Sequence, residues 1–536
     1  MRRLLLVIGG LLLLLILLVV GALQAVKTQA VRDRITSALS SALGQPVTIG
    51  DLGVSLLPSP ALTARAVRIG HSDPGGAADS TAAPGLFVRE VRVVPRLTSL
   101  IPGRPLAVDR VDLTGMVIAV RRDRAGRWQL PVVPVAGADT GSAQGPGFVL
   151  DTLRLRDGAI RIVDDRLKSH ASTTLSGLDA AMHASAGRVS IPRFSGYLGK
   201  TAVVGAMQMG PTGAEILLRI PSVEAADLPA LFALAGMEPY PGLSIAGKAP
   251  VSMTVRTTPD FASHTATGDA SIDKVQLDKL ALENLQTTFR LDEKKLFTLD
   301  PLTFVAYGGH ERGTVAIDIS QPMSAYTIRT SLQGLDVQRA LAATTTMGNL
   351  LNGNGQVDAT LRGKGHTAAA VQQSLTGTVR FALADGVIRN FPILAAINQA
   401  AGITAGSDSD VKFQRLDGTA KVGGGQARVD SLALRAGELA MTGTGVIGFD
   451  KRLNLHLVVQ LSPAKTAELG KTVGLGGLAA KGGRLAIPVT VTGTTTAPKY
   501  SVDLGAVAKQ QLPGELKKVL PTQLQQGLQQ LLPGKP

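Results

Sequence analysis

Two Gly-Lys-Thr triplets, Gly199 to Thr201 and Gly470 to Thr472, carry the residues that close a phosphate-binding loop. Such a loop needs another glycine five residues before the one preceding the lysine, so that backbone amides can wrap the phosphate oxygens. Those positions hold Phe194 and Lys465, and both triplets read as turns. Asp164-Asp165 offers two carboxylates. Adjacent strand residues point to opposite faces and cannot converge on one substrate, so this pair also reads as a turn. The seven histidines are dispersed, His170 and His183 being the nearest two, and none stands in a His-x3-His metal spacing. Polar strand positions account for them. The absence of cysteine excludes disulfides, thiolate metal sites and thiol catalysis. No Gly-x-Ser-x-Gly elbow sits between a strand and a helix. Trp128, the only tryptophan, follows a turn in Asp123-Arg-Ala-Gly-Arg-Trp128 and reads as a structural anchor. No catalytic residue, metal ligand or cofactor site is expected, and the chain is not expected to be an enzyme.

What remains is binding by apolar residues, and these recur with period two. Val67 and Ile69 flank Arg68; Val91 and Val93 flank Arg92; Val111 and Leu113 flank Asp112, after which Gly115 turns the chain into Val117 to Val120. Leu153 and Leu155 alternate with Arg154 and Arg156, Asp157-Gly158 signals a turn, and Ile160 and Ile162 follow. The pattern returns at Val275 and Leu277, Leu280 and Leu282, Leu285 to Leu291, Val315 to Ile319 and Leu453 to Leu461. Leu153-Arg-Leu-Arg-Asp-Gly-Ala-Ile160 recurs loosely as Phe381-Ala-Leu-Ala-Asp-Gly-Val-Ile388. Short strands with one apolar face and turns every ~8–12 residues predict a mainly β, mostly antiparallel meander. Uniform hairpins over such a length favour an elongated sheet over several compact sandwiches. Short helices are expected at Val31 to Leu43, Leu228 to Ala235, Val337 to Ala343 and Phe391 to Ala401.

The first elements are apolar. Leu4 to Leu23 holds no charged residue, and Leu4, Leu11, Leu15, Leu18 and Leu23 belong to a run long enough, at ~1.5 Å per residue, to cross a ~30 Å hydrocarbon core. It exceeds the apolar region of a cleavable signal and lacks a good small-x-small site, so an uncleaved anchor is expected. Arg2 and Arg3 before it nearly balance Lys27, Arg32 and Arg34 after it, so charge leaves the orientation open. At the far end, Leu512 to Leu532 reads as an amphipathic helical tail broken by Pro521, suited to capping the sheet or to docking on a membrane or partner.

The formal net charge of +15 favours acidic partners. Arginines scattered singly on strands, with only 3% aromatic residues, point to solvated strand faces or a lipid surface rather than nucleic acid. Loops are expected at Ser72 to Pro84, Ala136 to Gly147 and Gly406 to Asp410. The expected organisation is an anchor (1–27), a first β domain (28–135), a linker (136–147), a middle β segment (148–345), a second β domain (346–505) and the tail (506–536).

The N-terminal part resembles the AsmA family of bacterial envelope proteins. The resemblance is carried by the apolar anchor, Ala42-Leu-Gly-Gln-Pro-Val-Thr-Ile49, Leu56-Leu-Pro-Ser-Pro-Ala-Leu62, Val67-Arg-Ile-Gly70, Asp109-Arg-Val-Asp-Leu-Thr-Gly115 and Asp123 to Trp128. Leu375-Thr-Gly-Thr-Val379, Ala384-Asp-Gly-Val-Ile388, Phe413-Gln-Arg-Leu-Asp-Gly-Thr419 and Gly443-Thr-Gly-Val-Ile447 are similar to the family's second region, while residues 185–345 match only in general character. The resemblance implies a single-pass inner-membrane anchor, a periplasmic body and a curved β-groove like that of chorein-type lipid-transfer bridges. Phospholipids would be bound and handed between envelope membranes there, in support of outer-membrane biogenesis. Val111, Leu113, Leu153, Leu155, Leu277, Phe289, Ile317, Leu455 and Leu457 are the expected groove residues. The other expectation is a non-enzymatic assembly factor that acts through protein contacts, with envelope partners at the C-terminal end.

Overall fold

The computed structural model describes residues 33, 36, 37, 40, 45–55, 61–70, 85–96, 108–124, 127–129, 150–167, 172–185, 188–234, 242–259, 263–321, 323–344, 350–365, 367–389, 391–400, 410–472 and 484–503. The expected anchor, the tail and the loops 72–84 and 136–147 lie outside them. Among the described residues no helix is long and apolar enough to cross a membrane. The chain divides into two compact units, one comprising Met1–Asp278 and Leu285–Lys294, the other Lys279–Asn284 and Lys295–Pro536. The division falls within the stretch expected as the middle segment.

Unit 1 contains β1 (Val47–Thr48), β2 (Asp51–Ser55), β3 (Ala61–Ile69), β4 (Gly85–Pro95), β5 (Val108–Arg122), β6 (Trp128–Gln129), β7 (Leu150–Asp164), β8 (Ser172–Ser185), β9 (Arg188–Leu198), β10 (Thr201–Gly210) and β11 (Gly213–Ile220). Helix α1 (Leu228–Leu234) follows, then β12 (Leu243–Ala246), β13 (Val251–Thr257), β14 (His264–Leu277) and most of β15 (Leu280–Leu291). Among the described residues the strands pair antiparallel, except that β7 returns beside β5 in parallel, Val111 opposite Leu153 and Leu113 opposite Leu155. Unit 2 contains β16 (Leu296–Ala306), β17 (Gly309–Asp318), β18 (Ala325–Asp336), α2 (Val337–Thr344), β19 (Leu351–Lys364), α3 (Ala368–Ser374), β20 (Thr376–Ile388), α4 (Pro392–Ala400) and β21 (Val411–Gly423). It ends with β22 (Gln426–Ala436), β23 (Leu439–Gly448), β24 (Leu453–Leu461), α5 (Pro463–Thr472), β25 (Ala486–Thr494) and β26 (Ala497–Val502). From β16 to β26 every strand pairs antiparallel with the next. The mainly β, mostly antiparallel expectation therefore holds, as do the helices near 228, 337 and 391. Helices α3 and α5 were not expected.

Tight hairpins explain the antiparallel run. Gly424 and Gly425, at φ 59° and 73°, form the two-residue turn between β21 and β22. Positive φ at both central positions matches the twist of the flanking strands, and glycine adopts it without steric cost. Two expected turns, and the recurrent Asp-Gly pair, lie instead inside long strands. Gly115 lies within β5, Asp157-Gly158 within β7 and Asp385-Gly386 within β20. Gly115, Asp157 and Asp385 take φ of 64°, 51° and 49°. The pairing register shifts beside Asp157-Gly158 and beside Asp385-Gly386, as in a bulge, and runs unbroken past Gly115; none of the three reverses its strand. The two Asp-Gly octapeptides thus share one structure, a bulged strand.

A second correction concerns the Gly-Lys-Thr triplets. The first is a turn between β9 and β10, but the second forms the end of helix α5. In the first, the Lys200 and Thr201 amides and the Thr201 hydroxyl all donate to Asp227 Oδ2 at 2.8 Å. The amides that would face a phosphate already hold a carboxylate.

Candidate functional site

Directly opposed residues on neighbouring strands share a face, so the registers fix which side chains line each surface. In unit 1 one cross-strand row reads Leu52, Ala64, Val91, Leu113, Leu155, Ala180, Phe194, Gly205, Leu218, Met253 and Gly268. It contains no polar side chain. In unit 2 a row reads Phe304, Glu311, Leu332, Val357, Phe381, Gly418, Leu432, Gly443, Leu457, Val489 and Val502, apolar but for Glu311. The adjacent row, on the other face of unit 2, reads Thr303, Arg312, Ser331, Asp358, Arg380, Thr419 and Ser431, every one polar. At ~4.8 Å per strand each apolar row runs for roughly 50 Å.

The apolar faces are covered unevenly. In unit 1 Val111, Leu113 and Leu153, three of the expected groove residues, pack in a closed core with Ala64, Val88 and Val91. Leu155 lies half-buried at its edge. Further along, Met207, Ile216, Leu218, Met253 and Val255 are half-buried on the same face, and Phe289 lies across Gly268. In unit 2 Phe391, Ile393 and Ile397, at the start of α4 and along it, join Leu457, Val459 and Ile487 in a second core, with Leu455 partly buried against it. From β16 to β19 the face is half-buried instead, with Phe297, Leu299, Val315, Ile317, Ile328 and Leu361 on it. Phe289, Ile317, Leu155 and Leu455 are thus the expected groove residues that retain accessible surface on the apolar faces. Leu277, opposite Leu243 at the end of β14, is exposed. The half-buried residues of β11 and β13 escaped the sequence reading. Val251, Met253 and Val255 alternate with Ser252 and Thr254, a usable signal, whereas Ile216-Leu217-Leu218 is apolar throughout and hides its period.

Glycine and phenylalanine shape these faces together. Phe194 opposes Gly205, Phe381 opposes Gly418 and Phe413 opposes Gly386 across strand pairs. Each ring lies where a glycine Cβ would be, 2.7 Å from it for Phe381 over Gly418. The ring shields exposed backbone and lies down on the sheet rather than standing away from it.

Charges keep to the other face and the strand ends. Lys421 and Arg428 bracket Asp430 at 3.2 and 3.1 Å, and hydrogen bonding from Lys421 is the main cause of the lowered pKa of that exposed carboxyl. At the end of β7, Asp164 is buried against Arg166, which donates to it at 2.6 Å, and lies 3.9 Å from Arg122. Burial alone would raise its pKa. Hydrogen bonds from Arg166 and both positive charges outweigh that and hold it below 3.8. Asp165 turns the other way to Arg121, at 2.7 Å. The two carboxylates diverge, each onto its own arginine.

Glu311 is the exception. It stands on the apolar face of unit 2 at 5% exposure, and burial raises its pKa above 4.5. Its parity with Val315 and Ile317 was readable in the sequence.

The model of the AsmA family matches residues 259–432. That stretch takes in β14 to β21, part of β22 and part of the region whose sequence matched only in general character; the N-terminal motifs lie outside it. No curated protein and no solved structure matches the chain.

Proposed function

With residues 259–432 identified as AsmA-family sequence, we propose that this chain is a non-enzymatic lipid-handling protein of the bacterial envelope. It is anchored in the inner membrane by residues 4–23 and carries phospholipids along its apolar sheet faces in the periplasm. Its service is the hand-over of lipid between envelope membranes in support of outer-membrane biogenesis. The observation that carries this reading is the pair of apolar cross-strand rows, each passing from closed core into half-buried surface. A sheet with one apolar face must bury it against something. Acyl chains supply ~0.8 kcal/mol per buried CH2, without direction or register. A chain can therefore slide along such a row without meeting a deep trap.

The test is mass spectrometry of lipids that co-purify with the full chain in mild detergent. Phospholipid is expected, and Ile317→Glu, which places a charge on the half-buried face, reduces it several-fold with the circular dichroism spectrum unchanged. Absence of phospholipid after gentle extraction contradicts the reading. Crosslinking of the chain to one defined envelope protein in that same lipid-free state would instead establish an assembly factor.

A further inference from the structure

Glu311 interrupts an apolar row that is otherwise unbroken from Phe304 to Val502. It lies in register between Phe304 of β16 and Leu332 of β18. The Thr330 hydroxyl donates to Oε1 at 2.9 Å. Oε2 is buried and has no hydrogen-bond partner among the described residues. Two positions along the same face, Gly313 leaves room for the carboxyl to lie along the strand, since a Cβ there would collide with Oε1. The side chain is therefore housed and held by one oxygen while the other is left open. Burial disfavours its ionised form, and the Thr330 bond offsets only part of that effect. A half-satisfied buried carboxyl is costly to a fold. Leucine or valine would fill the same row without that cost.

We propose that Glu311 is a headgroup-recognition site whose Oε2 accepts a hydrogen bond from the ammonium of an ethanolamine phospholipid seated on the apolar face of unit 2. The proposal rests on the lipid-handling reading above. A primary ammonium brings both N–H donors and the charge that a desolvated carboxylate lacks. Choline brings charge but no donor, and glycerol brings donors but no charge. Thr330 fixes Oε1, so the open position is Oε2. Phe304 and Leu332, both half-buried, are the side chains that part to admit the headgroup. The acyl chains then run along the row.

The full chain in mild detergent is mixed with an equimolar set of dioleoyl ethanolamine, glycerol and choline phospholipids, and bound lipid is quantified by mass spectrometry. The ethanolamine lipid is expected to exceed each of the others by roughly tenfold, as one charge-assisted hydrogen bond allows. Glu311→Leu and the isosteric Glu311→Gln bring that ratio close to the input. Glu311→Leu also melts no lower than the natural chain, because it removes an unsatisfied buried carboxyl rather than a structural contact. A natural chain that binds all three lipids equally, or an ethanolamine preference that survives in both variants, overturns this proposal and leaves the lipid reading standing. A natural chain that binds none of them overturns both.

Discussion

Single carboxylates in this chain are governed by what reaches them. Asp227 receives three donors from one turn and is a structural clasp, whereas Glu311 receives one. Asp164 is the case where charge decides stability. Its folded pKa is depressed, so the stability it contributes is in place above the ordinary carboxylate range and is lost as pH falls through the folded value. Asp164→Asn is expected to lower the unfolding free energy near pH 7 by about 2 kcal/mol. That is less than the roughly 3–5 kcal/mol of a fully buried broken pair, because both arginines retain solvent. The difference between variant and natural chain should shrink below about pH 4 in denaturant titrations; a difference constant with pH would mean that the carboxylate charge is not its source. The sequence correctly denied Asp164-Asp165 a shared substrate. Arg166, two residues on, was within reach of Asp164 in the sequence, but Arg121 and Arg122 lie far away in the chain and arrive only through the parallel pairing of β5 with β7.

Strand identity was legible because period two survives even where burial varies. Strand length was not, because a bulge and a turn use the same residues. Asp157-Gly158 looks like a hairpin turn in one dimension, but the extra residue is matched by Gly115 in the neighbouring strand, and both strands run on. Helix α3, with a Thr367 side-chain cap on the Ala370 amide at 3.2 Å, is too short to show a period of its own. The Gly–Phe pairs belong to this scale as well, because neither residue explains itself alone. Gly418→Val would drive a Cβ into the Phe381 ring. The expected loss is about 2 kcal/mol, within the usual cost of overpacking. It should be partly recovered when Phe381→Leu is added, a coupling that a double-mutant cycle measures directly. Additive effects would show that the ring does not rest on the glycine.

Across the molecule, alternation predicted one apolar face, and the registers of both units bear it out row by row. What alternation could not tell was which apolar residues would be core and which would remain accessible. Val111 and Phe289 have the same parity logic, yet one is sealed in a closed core and the other lies half-buried over Gly268. That difference comes from the neighbours each side chain meets: Val111 packs among Ala64, Val88, Val91 and Leu153, residues distant in sequence. The proposed function requires that lipid occupy the half-buried apolar faces and not the polar ones. Photo-crosslinking residues placed at Phe289 and Ile317, and at the adjacent opposite-face positions Thr288 and Ala316, test it most directly in cells labelled with radioactive phosphate. Labelled phospholipid adducts are expected from positions 289 and 317 and none from 288 and 316. Equal labelling of both faces, or labelling of neither, would contradict it.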